Sequence, residues 1–159
     1  MSSIPGLNVS ACSGTDVRVA IIHTQWNSRV VDALVDACQK TLTENGVTQI
    51  VIESVGGAFE LPLAAAILAK SGRFDVIIPI GCLVKGDTMH FEYISGAAVD
   101  GLMRVGLDTG IPIINGILNV LTNDQALARP ALIGKRENEA IGWAKTALQQ
   151  VRLVKKYTV

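Results

Sequence analysis

The segment with the richest chemistry is residues 81–93, with the sequence GCLVKGDTMHFEY. It follows an apolar run typical of a buried strand, contains a glycine-bearing loop and leads into a stretch with helical periodicity. The free N–H groups and the dipole at a helix N-terminus bind anions such as phosphate. Gly86 would let the backbone approach an anion closely, because it carries no Cβ. An ordinary helix start capped by Asp87 or Thr88 explains the same pattern equally well.

His90 would lie in the first turn of that helix, next to the candidate anion site. Imidazole exchanges protons near neutral pH, so a histidine beside a bound phosphate is a candidate general acid–base. The alternative is a surface or capping histidine, which is the more usual role of a lone histidine. The loop is not a Walker A motif, because the spacing Gly-x-x-x-x-Gly-Lys-Ser/Thr is absent.

Three further side chains could contact a ligand. Trp26 could stack on a flat heterocycle, and Glu60 could accept hydrogen bonds from hydroxyl or ring N–H groups. Arg129 could hold a phosphate through two parallel hydrogen bonds. Each has a structural alternative: Trp26 could pack on the first helix, Glu60 could favour a helix dipole, and Arg129 could be solvated. For Glu60 we rank the structural role first.

Alternation of short β-branched runs with longer helical stretches predicts the elements that position these residues. Strands are expected at residues 17–22, 47–55, 74–80 and 111–118. Helices are expected at residues 27–45, 59–71, 88–108, from about 122, and 135–154. Apolar strands separated by helices imply right-handed βαβ crossovers. We therefore expect an α/β fold, a three-layer α/β/α sandwich around a four-stranded parallel sheet with flavodoxin-like winding.

The expected sheet also predicts where a ligand binds. In an open parallel sheet, ligands bind beyond the carboxyl ends of the strands. This rule selects four segments, at residues 23–27, 56–60, 81–90 and 115–122. Trp26, Glu60 and His90 all lie within them, so we expect one site at this edge of the sheet.

The composition limits the class of protein and its partners. Of 159 residues, 49% are hydrophobic and 18% charged, which fits a single domain over residues 1–159 and excludes intrinsic disorder. The formal net charge is zero, so we expect no nucleic-acid or anionic-membrane partner. No apolar run approaches the ~20 residues of a membrane span. Low charge with high apolar content suggests surface that is buried against other copies of the chain.

Cysteine spacing and the N-terminus bear on the compartment. Cys12, Cys38 and Cys82 form no Cys-x-x-Cys or Cys/His cluster, which argues against zinc and redox motifs and favours a reducing compartment. Residues 1–16 lack the pattern of a secretory signal, so a cytoplasmic location is expected, with a removed transit peptide as the alternative. These residues also lack helical periodicity. We interpret them as a loose tail or as an arm that pairs with a sheet edge, either of its own chain or of a neighbour.

Three motifs together resemble the 6,7-dimethyl-8-ribityllumazine synthase family. They are KGDTMHFEYI at residues 85–94, GAFELP at 57–62 and WN at 26–27. The similarity extends over about residues 17–147, and residues 101–108 and 124–129 look most like fungal members. The resemblance implies a transferase of riboflavin biosynthesis. Such enzymes condense 5-amino-6-(D-ribitylamino)uracil with 3,4-dihydroxy-2-butanone 4-phosphate, release phosphate and water, and use no metal and no organic cofactor.

The resemblance also implies a role for each matching residue. His90 would transfer protons during imine formation and phosphate loss. The phosphate would be bound by Gly86, Asp87 and Thr88, with Arg129 contributed by a neighbouring subunit. The pyrimidine ring and ribityl chain would be bound by Trp26, Asn27, Ala58, Phe59, Glu60, Leu83, Val84, Lys85 and Asn115.

The resemblance further implies an assembly. Family members are homopentamers or pentamer-built capsids, with each active site between two adjacent subunits. Because residues 129–143 look a few residues longer than in capsid-forming relatives, we expect an isolated pentamer. The chain departs from the family pattern at Gly56, at Asn115 and over residues 132–139. The alternative function on this scaffold is a non-catalytic protein that binds riboflavin or a similar ring. A generic nucleotide-binding domain is disfavoured, because Gly-x-Gly-x-x-Gly is absent.

Overall fold

The structure, a computed structural model, describes residues 9–158. Its elements follow in the order β1 (Arg18–Thr24), α1 (Ser28–Glu44), β2 (Gln49–Val55), a 3-10 turn (Ala58–Glu60), α2 (Leu61–Lys70), β3 (Val76–Val84), α3 (His90–Thr109), β4 (Gly116–Val120), α4 (Asn123–Ala128) and α5 (Glu139–Tyr157). The strands pair in parallel in the order β2-β1-β3-β4. This confirms the expected α/β fold with a four-stranded parallel sheet and flavodoxin-like winding.

Helices cover both faces of the sheet and so make the three expected layers. Alternate residues of a strand point to opposite faces. Val19 and Ile21 of β1 therefore face α1, α4 and α5, whereas Ala20 and Ile22 face α2 and α3. All four are fully buried. Full burial of a valine or isoleucine side chain contributes ~1.5–3 kcal/mol, so these two cores hold the sheet between its helices.

The layer formed by α2 and α3 leaves apolar side chains uncovered. Leu63 and Ile67 of α2 and Met103 and Leu107 of α3 are between 61% and 76% exposed. An apolar surface of this kind on a folded protein marks a place where another molecule binds. No helix within residues 9–158 is long and apolar enough to cross a membrane.

β3 extends further than the sequence suggested. The expected strand covered residues 74–80, whereas β3 is Val76–Val84. Residues 81–84 were expected to form a loop, but they pair in parallel with residues 117–120 of β4. This long-range pairing carries Leu83 and Val84 to the edge of the sheet, where both are half-buried.

Three helices begin later than expected. α2 begins at Leu61 rather than at residue 59, because residues 58–60 form a 3-10 turn. α3 begins at His90 rather than at residue 88, and α5 begins at Glu139 rather than at residue 135. The side-chain oxygen of Asn138 accepts a hydrogen bond from the Ala140 N–H at 3.0 Å and so caps α5. The cap, and not the apolar periodicity, therefore sets the first residue of α5.

Other helix termini follow their sequence signals. Gly46 and Gly110, with φ of 95° and 72°, follow α1 and α3 in the left-handed conformation that favours glycine. Thr122, where the sequence places the start of the short helix, accepts through Oγ1 from the Gln125 N–H at 3.2 Å and so caps α4. In a standard capping box the Gln125 side chain would accept from the N–H of the N-cap residue, Thr122. Here it accepts from the N–H of the preceding residue, Leu121, at 2.8 Å.

An exposed ion pair on α3 joins Arg104 to Asp108. The spacing of Asp100 and Arg104 also permits an i,i+4 pair, but Arg104 Nε lies 3.3 Å from Asp108 Oδ2 instead. Asp108 lies in the last turn of the helix, where the dipole disfavours a carboxylate and a nearby cation offsets it. Both side chains are well exposed, so the pair contributes only ~0.3–0.5 kcal/mol.

Arg18 and Asp75 join the amino ends of β1 and β3. The guanidinium donates from Nε and Nη2 to the two carboxylate oxygens of Asp75, at 3.2 and 2.9 Å. Arg18 Nη1 also donates to the Gly72 carbonyl at 3.0 Å, and the Arg18 N–H donates to Asp75 Oδ2 at 2.8 Å. Partial burial raises the pKa of Asp75, but these hydrogen bonds and the Arg18 charge outweigh it, so the pKa is lowered overall.

Residues 9–16 form no strand. The Gln149 side chain of α5 donates to the Ser10 carbonyl at 3.4 Å, and the Gly14 N–H donates to the Asn45 carbonyl at 2.7 Å. This part of the expected arm therefore lies against the chain's own helices. The rest of the arm, residues 1–8, lies outside the described residues.

Candidate functional site

Backbone contacts bring together the loops that follow the four strands. The Gln25 N–H, after β1, donates to the carbonyl of Gly56, after β2, at 3.4 Å. The Lys85 N–H, after β3, donates to the carbonyl of Val120 at the end of β4, at 2.9 Å. These loops meet at the carboxyl edge of the sheet, which is the edge that the sequence selected.

Asn27 fixes the turn that presents Trp26. Asn27 is the N-cap of α1 in the left-handed conformation, with φ of 55°, and its side chain makes no cap hydrogen bond. Instead, Asn27 Nδ2 donates to the Cys82 carbonyl of β3 at 2.9 Å. Trp26 is 73% exposed, and its Cδ1 lies 3.5 Å from where a Cβ on Gly57 would be. The indole therefore stands beside the loop after β2, and most of its surface is free to contact a ligand.

Three of the candidate ring-binding residues share a groove. Trp26, Asn27 and Val84 line an open groove of about 510 Å³, and the opposite wall is formed by Asn123, Ala126 and Leu127 at α4. Its volume is within the ~300–1,000 Å³ typical of small-molecule sites. The groove lies between the β1–α1 turn and α4, and so opens at the carboxyl edge of the sheet.

The 3-10 turn Ala58–Glu60 holds three candidate residues in different environments. The Glu60 carboxylate accepts a hydrogen bond from the Gly57 N–H through Oε2 at 3.0 Å, so it helps to close the turn. Phe59 is 62% exposed, whereas Ala58 is buried in the α2–α3 core. A contact between Ala58 and a ligand would therefore come from its backbone.

The turn between β3 and α3 is exposed from Gly86 to His90. A Cβ on Gly86 would have no heavy atom within 4 Å, so the backbone there is open to a ligand. Thr88 performs part of the expected capping, because its Oγ1 accepts from the His90 N–H at 3.3 Å. Asp87, the other expected cap, makes no side-chain hydrogen bond to the residues that the structure describes. The His90 imidazole is left exposed beside this turn.

Lys85 is already engaged by its own chain. Its Nζ lies 2.7 Å from Glu92 Oε1 and donates to the Thr88 carbonyl at 3.2 Å. The hydrogen bond and charge of Lys85 lower the pKa of Glu92, so this carboxylate stays charged. Sequence reasoning did not select Glu92, although its charge is opposite to that of Lys85 across the glycine-bearing turn.

Arg129 also forms an ion pair within its own chain, and this pair does not involve the turn. Its Nη1 lies 3.1 Å from Glu139 Oε1, and Arg136 Nη2 approaches the same oxygen at 3.7 Å. No hydrogen bond or ion pair within residues 9–158 joins Arg129 to residues 86–90. Glu139 was also missed as a partner of Arg129, because the two residues are ten positions apart across an irregular segment.

Asn115 lies far from the other candidates. The expectation that it lies beyond the carboxyl end of β4 is wrong, because it precedes Gly116, the first residue of the strand. Gly116 pairs with Ile80, and Val120 with Val84, so Asn115 is about 16 Å from the carboxyl edge at ~3.3 Å per residue. Asn115 lines a second groove, of about 420 Å³, together with α3 and α5 residues such as Leu107 and Val154.

The chemistry available at the carboxyl edge is proton transfer and anion binding. Burial raises the pKa of the Cys82 thiol to about 11, so it is not a thiolate nucleophile near neutral pH. Within residues 9–158, no three His, Cys, Asp or Glu side chains are grouped so that they could hold a metal ion. His90 is the exposed imidazole beside the turn, and imidazole is the side chain most often used in general acid–base catalysis.

Comparison with known proteins gives a family match and several similar relatives. The profile of a family described as 6,7-dimethyl-8-ribityllumazine synthase matches residues 16–155. A protein of that name from Schizosaccharomyces pombe is 43% identical over 151 residues, which cover 93% of this chain and 94% of the relative. Proteins of the same name from Pyricularia oryzae and Xanthomonas euvesicatoria are 35% and 39% identical, over 86% and 88% of this chain and 87% and 91% of the relatives.

The matched range, residues 16–155, spans the part of the chain that contains the candidate residues from Trp26 to Arg129. The fungal relatives also agree with the fungal character of the motifs. The chain therefore belongs to the 6,7-dimethyl-8-ribityllumazine synthase family.

Proposed function

We propose that the carboxyl edge of the sheet carries out the reaction of this family. The chain is a transferase of riboflavin biosynthesis that condenses 5-amino-6-(D-ribitylamino)uracil with 3,4-dihydroxy-2-butanone 4-phosphate, with loss of phosphate and water. The observation that carries the proposal is the turn from β3 into α3, where an open glycine backbone and an exposed His90 adjoin. A non-catalytic riboflavin binder needs neither feature, and the relatives are all named as synthases.

The pyrimidine substrate would bind in the groove beside Trp26. Its flat ring would stack on the exposed indole, a contact worth ~0.5–1.5 kcal/mol beyond the area that it buries. Asn27, Leu83, Val84 and the Lys85 backbone would border the ring. The ribityl chain would run along Ala58–Glu60, where Glu60 keeps one carboxylate oxygen that does not bond Gly57. Asn115 would reach the ring pocket only from an adjacent subunit, given its distance from this edge.

The phosphate of the second substrate would bind at the turn. Gly86 and Thr88 would offer backbone N–H groups, aided by the dipole of the 20-residue helix α3. Asp87 would contribute through its N–H and not through its carboxylate, because a carboxylate repels phosphate. Arg129 of an adjacent subunit would supply the balancing positive charge, with a geometry suited to two hydrogen bonds.

His90 would transfer the protons of the reaction. Addition of the substrate amine to the ketone needs a proton on the departing hydroxyl, and phosphate elimination needs removal of a proton from carbon. Only the backbone N–H of His90 is used by the turn, through Thr88 Oγ1, so its ring is free for both transfers. Orientation of the two substrates would supply much of the remaining acceleration.

We further propose that the working unit is a homopentamer with sites between adjacent subunits. The exposed apolar side chains of α2 and α3 support this assembly, because water contact with them is unfavourable. The distance of Asn115 from the carboxyl edge also supports it, as does the lack of a hydrogen bond or ion pair between Arg129 and the turn within residues 9–158, since an adjacent subunit could supply both side chains. Sedimentation at micromolar concentration should give an isolated pentamer, and a megadalton particle would contradict that size.

Three expectations from the sequence stay predictions. Residues 1–159 are expected to form one domain, with residues 1–16 as its arm. The location is expected to be cytoplasmic. The reaction is expected to need no metal or organic cofactor, so prolonged dialysis against EDTA should leave the rate unchanged, and a loss restored by a metal ion would contradict this.

The direct test of the function is to mix both substrates with the purified protein. The absorbance of 6,7-dimethyl-8-ribityllumazine should appear faster than in the spontaneous reaction without protein. Riboflavin titration on the same sample provides the comparison. No product above the spontaneous rate, together with tight riboflavin binding, would favour the non-catalytic alternative.

A further inference from the structure

The side chain of Lys85 spans the turn that we propose as the phosphate site. Its ammonium group lies 2.7 Å from Glu92 Oε1 and donates to the Thr88 carbonyl at 3.2 Å. Two of its three donors are thereby occupied. One side chain thus joins the end of β3, the turn and the first turn of α3.

The turn has few other side-chain restraints. Within residues 9–158, the side-chain hydrogen bonds to residues 86–89 are those from Lys85 Nζ to the Thr88 carbonyl and from the His90 N–H to Thr88 Oγ1. Gly86 has no heavy atom within 4 Å of a Cβ position. The bond from the His90 N–H to Thr88 Oγ1 is local and does not connect the turn to β3. The side-chain restraint from β3 therefore comes from Lys85, and Glu92 holds that lysine in place.

The pair also balances charge where the phosphate would bind. Glu92 lies in the first turn of α3, where a carboxylate suits the dipole but would repel an incoming phosphate. Lys85 neutralises this carboxylate. Because Lys85 is paired with Glu92 in this contact, its positive charge attracts a phosphate at the turn only weakly.

We propose that Lys85 and Glu92 are positioning residues, and that the Lys85 side chain does not bind the phosphate directly. Their ion pair holds the turn and His90 in a fixed place relative to the end of β3. This inference rests on the phosphate site proposed above. It assigns a role to Glu92 that the motif analysis did not, and it limits Lys85 to backbone contacts with substrate.

Steady-state kinetics on Lys85→Met, Glu92→Gln and the double variant separate positioning from direct binding. If the pair positions the turn, each single variant lowers kcat about tenfold, since displaced groups lose rate before affinity. The KM for the phosphate-bearing substrate changes less than threefold, and the double variant is no worse than either single variant. Lys85→Arg, which can keep the ion pair, restores most of kcat.

Direct phosphate binding by Lys85 predicts a different set of results. Lys85→Met would then raise that KM more than tenfold, and Glu92→Gln would lower it by freeing the lysine. Either result overturns the proposal. Asp108→Asn is the matched control, because it breaks an exposed ion pair on the same helix, far from the turn. Its kinetics should match those of the parent.

Hydrogen exchange on the substrate-free protein keeps the proposal testable even if no product forms. Glu92→Gln should speed amide exchange over residues 86–90 at least fivefold, while Asp108→Asn leaves it unchanged. Equal exchange in Glu92→Gln and the parent overturns the positioning role. A parent protein without synthase activity would instead overturn the proposed function, so the two failures are distinguishable.

Discussion

The two ends of the sheet are built differently. At the amino end, Arg18 and Asp75 satisfy each other through side-chain and backbone hydrogen bonds between β1 and the residue before β3. At the carboxyl end, Trp26, Phe59 and His90 stand exposed. At the amino end the charged side chains pair with each other, whereas the carboxyl end leaves aromatic and titratable side chains in contact with water.

This difference indicates which residues stabilise the fold and which are available to bind substrate. A protein leaves a polar group without a partner only at a cost in stability. Within residues 9–158, Thr24 Oγ1 is the buried side-chain polar atom without a hydrogen-bond partner, and Thr24 ends β1 at the carboxyl edge. Substitutions at the amino end should therefore change stability with little effect on rate, and substitutions at the carboxyl end should do the reverse.

The largest expected effect follows His90→Ala. Loss of general acid–base catalysis should lower kcat by about 10²- to 10⁴-fold, because no other exposed imidazole adjoins the turn in the part of the chain that the structure describes. Binding of a non-reacting pyrimidine analogue should change little. His23→Gln is the matched control, since the His23 ring contacts the Thr24 carbonyl within β1. Equal turnover in His90→Ala and the parent would remove His90 from the mechanism.

Arg129→Ala should have the next largest effect. Loss of charge-assisted hydrogen bonds of ~1.5–3 kcal/mol should raise the KM of the phosphate-bearing substrate by about 10- to 100-fold, with a smaller change in kcat. Initial-rate kinetics with each substrate varied in turn will measure this. Arg136→Ala is the control, because Arg136 approaches the same Glu139 oxygen without a proposed substrate contact. An unchanged KM in Arg129→Ala contradicts the assignment.

Asp75→Asn tests the amino end. The free energy of unfolding at pH 7 should fall by about 1–2 kcal/mol, less than for a fully buried pair because both side chains are partly exposed. The folded-state pKa of Asp75 lies below that of an ordinary aspartate, so its contribution to stability is present above the unfolded-state pKa and is lost as the pH falls through the folded-state pKa.

Urea denaturation from pH 7 to pH 3 measures this dependence. The Asp75→Asn variant should lose less stability than the parent on acidification below about pH 4, because the titrating group is gone. Its kcat should match that of the parent at pH 7. A rate loss larger than threefold would contradict the separation between the two ends of the sheet.

The layers of the fold could be predicted because apolar periodicity is local. The apolar runs around Ile21 and Ile78 indicated buried strands, and the intervening helices then required a parallel sheet. The carboxyl-end rule correctly grouped Trp26, Glu60 and the turn before His90. It failed for Asn115, because the first residue of β4 depends on pairing with β3 and not on local composition.

The missed features involve partners that local patterns do not reveal. Arg18 and Asp75 are 57 positions apart, and Arg129 reaches Glu139 across an irregular segment. Lys85 and Glu92 are only seven positions apart, but both interpretations of this segment, an anion site and an ordinary helix start, concern backbone N–H groups and caps and do not predict a side-chain pair across the turn. Side-chain pairing of this kind depends on the folded backbone, so the sequence suggested the residues of the site but not their contacts.

The smallest expected effect is at Trp26. Trp26→Ala should weaken riboflavin or pyrimidine-analogue binding by about 2- to 12-fold, the equivalent of ~0.5–1.5 kcal/mol of aromatic stacking. Trp26→Phe should keep most of the affinity, since a flat ring remains. Trp143→Phe is the control, because Trp143 is half-buried against the core and lies beside Gly116, at the amino end of β4. Fluorescence titration measures all three variants.

Because Trp26 is so exposed, its removal should leave the free energy of unfolding within about 0.5 kcal/mol of the parent. A larger loss of stability than of affinity would mean that Trp26 mainly stabilises the fold, and that the two ends of the sheet do not differ as described.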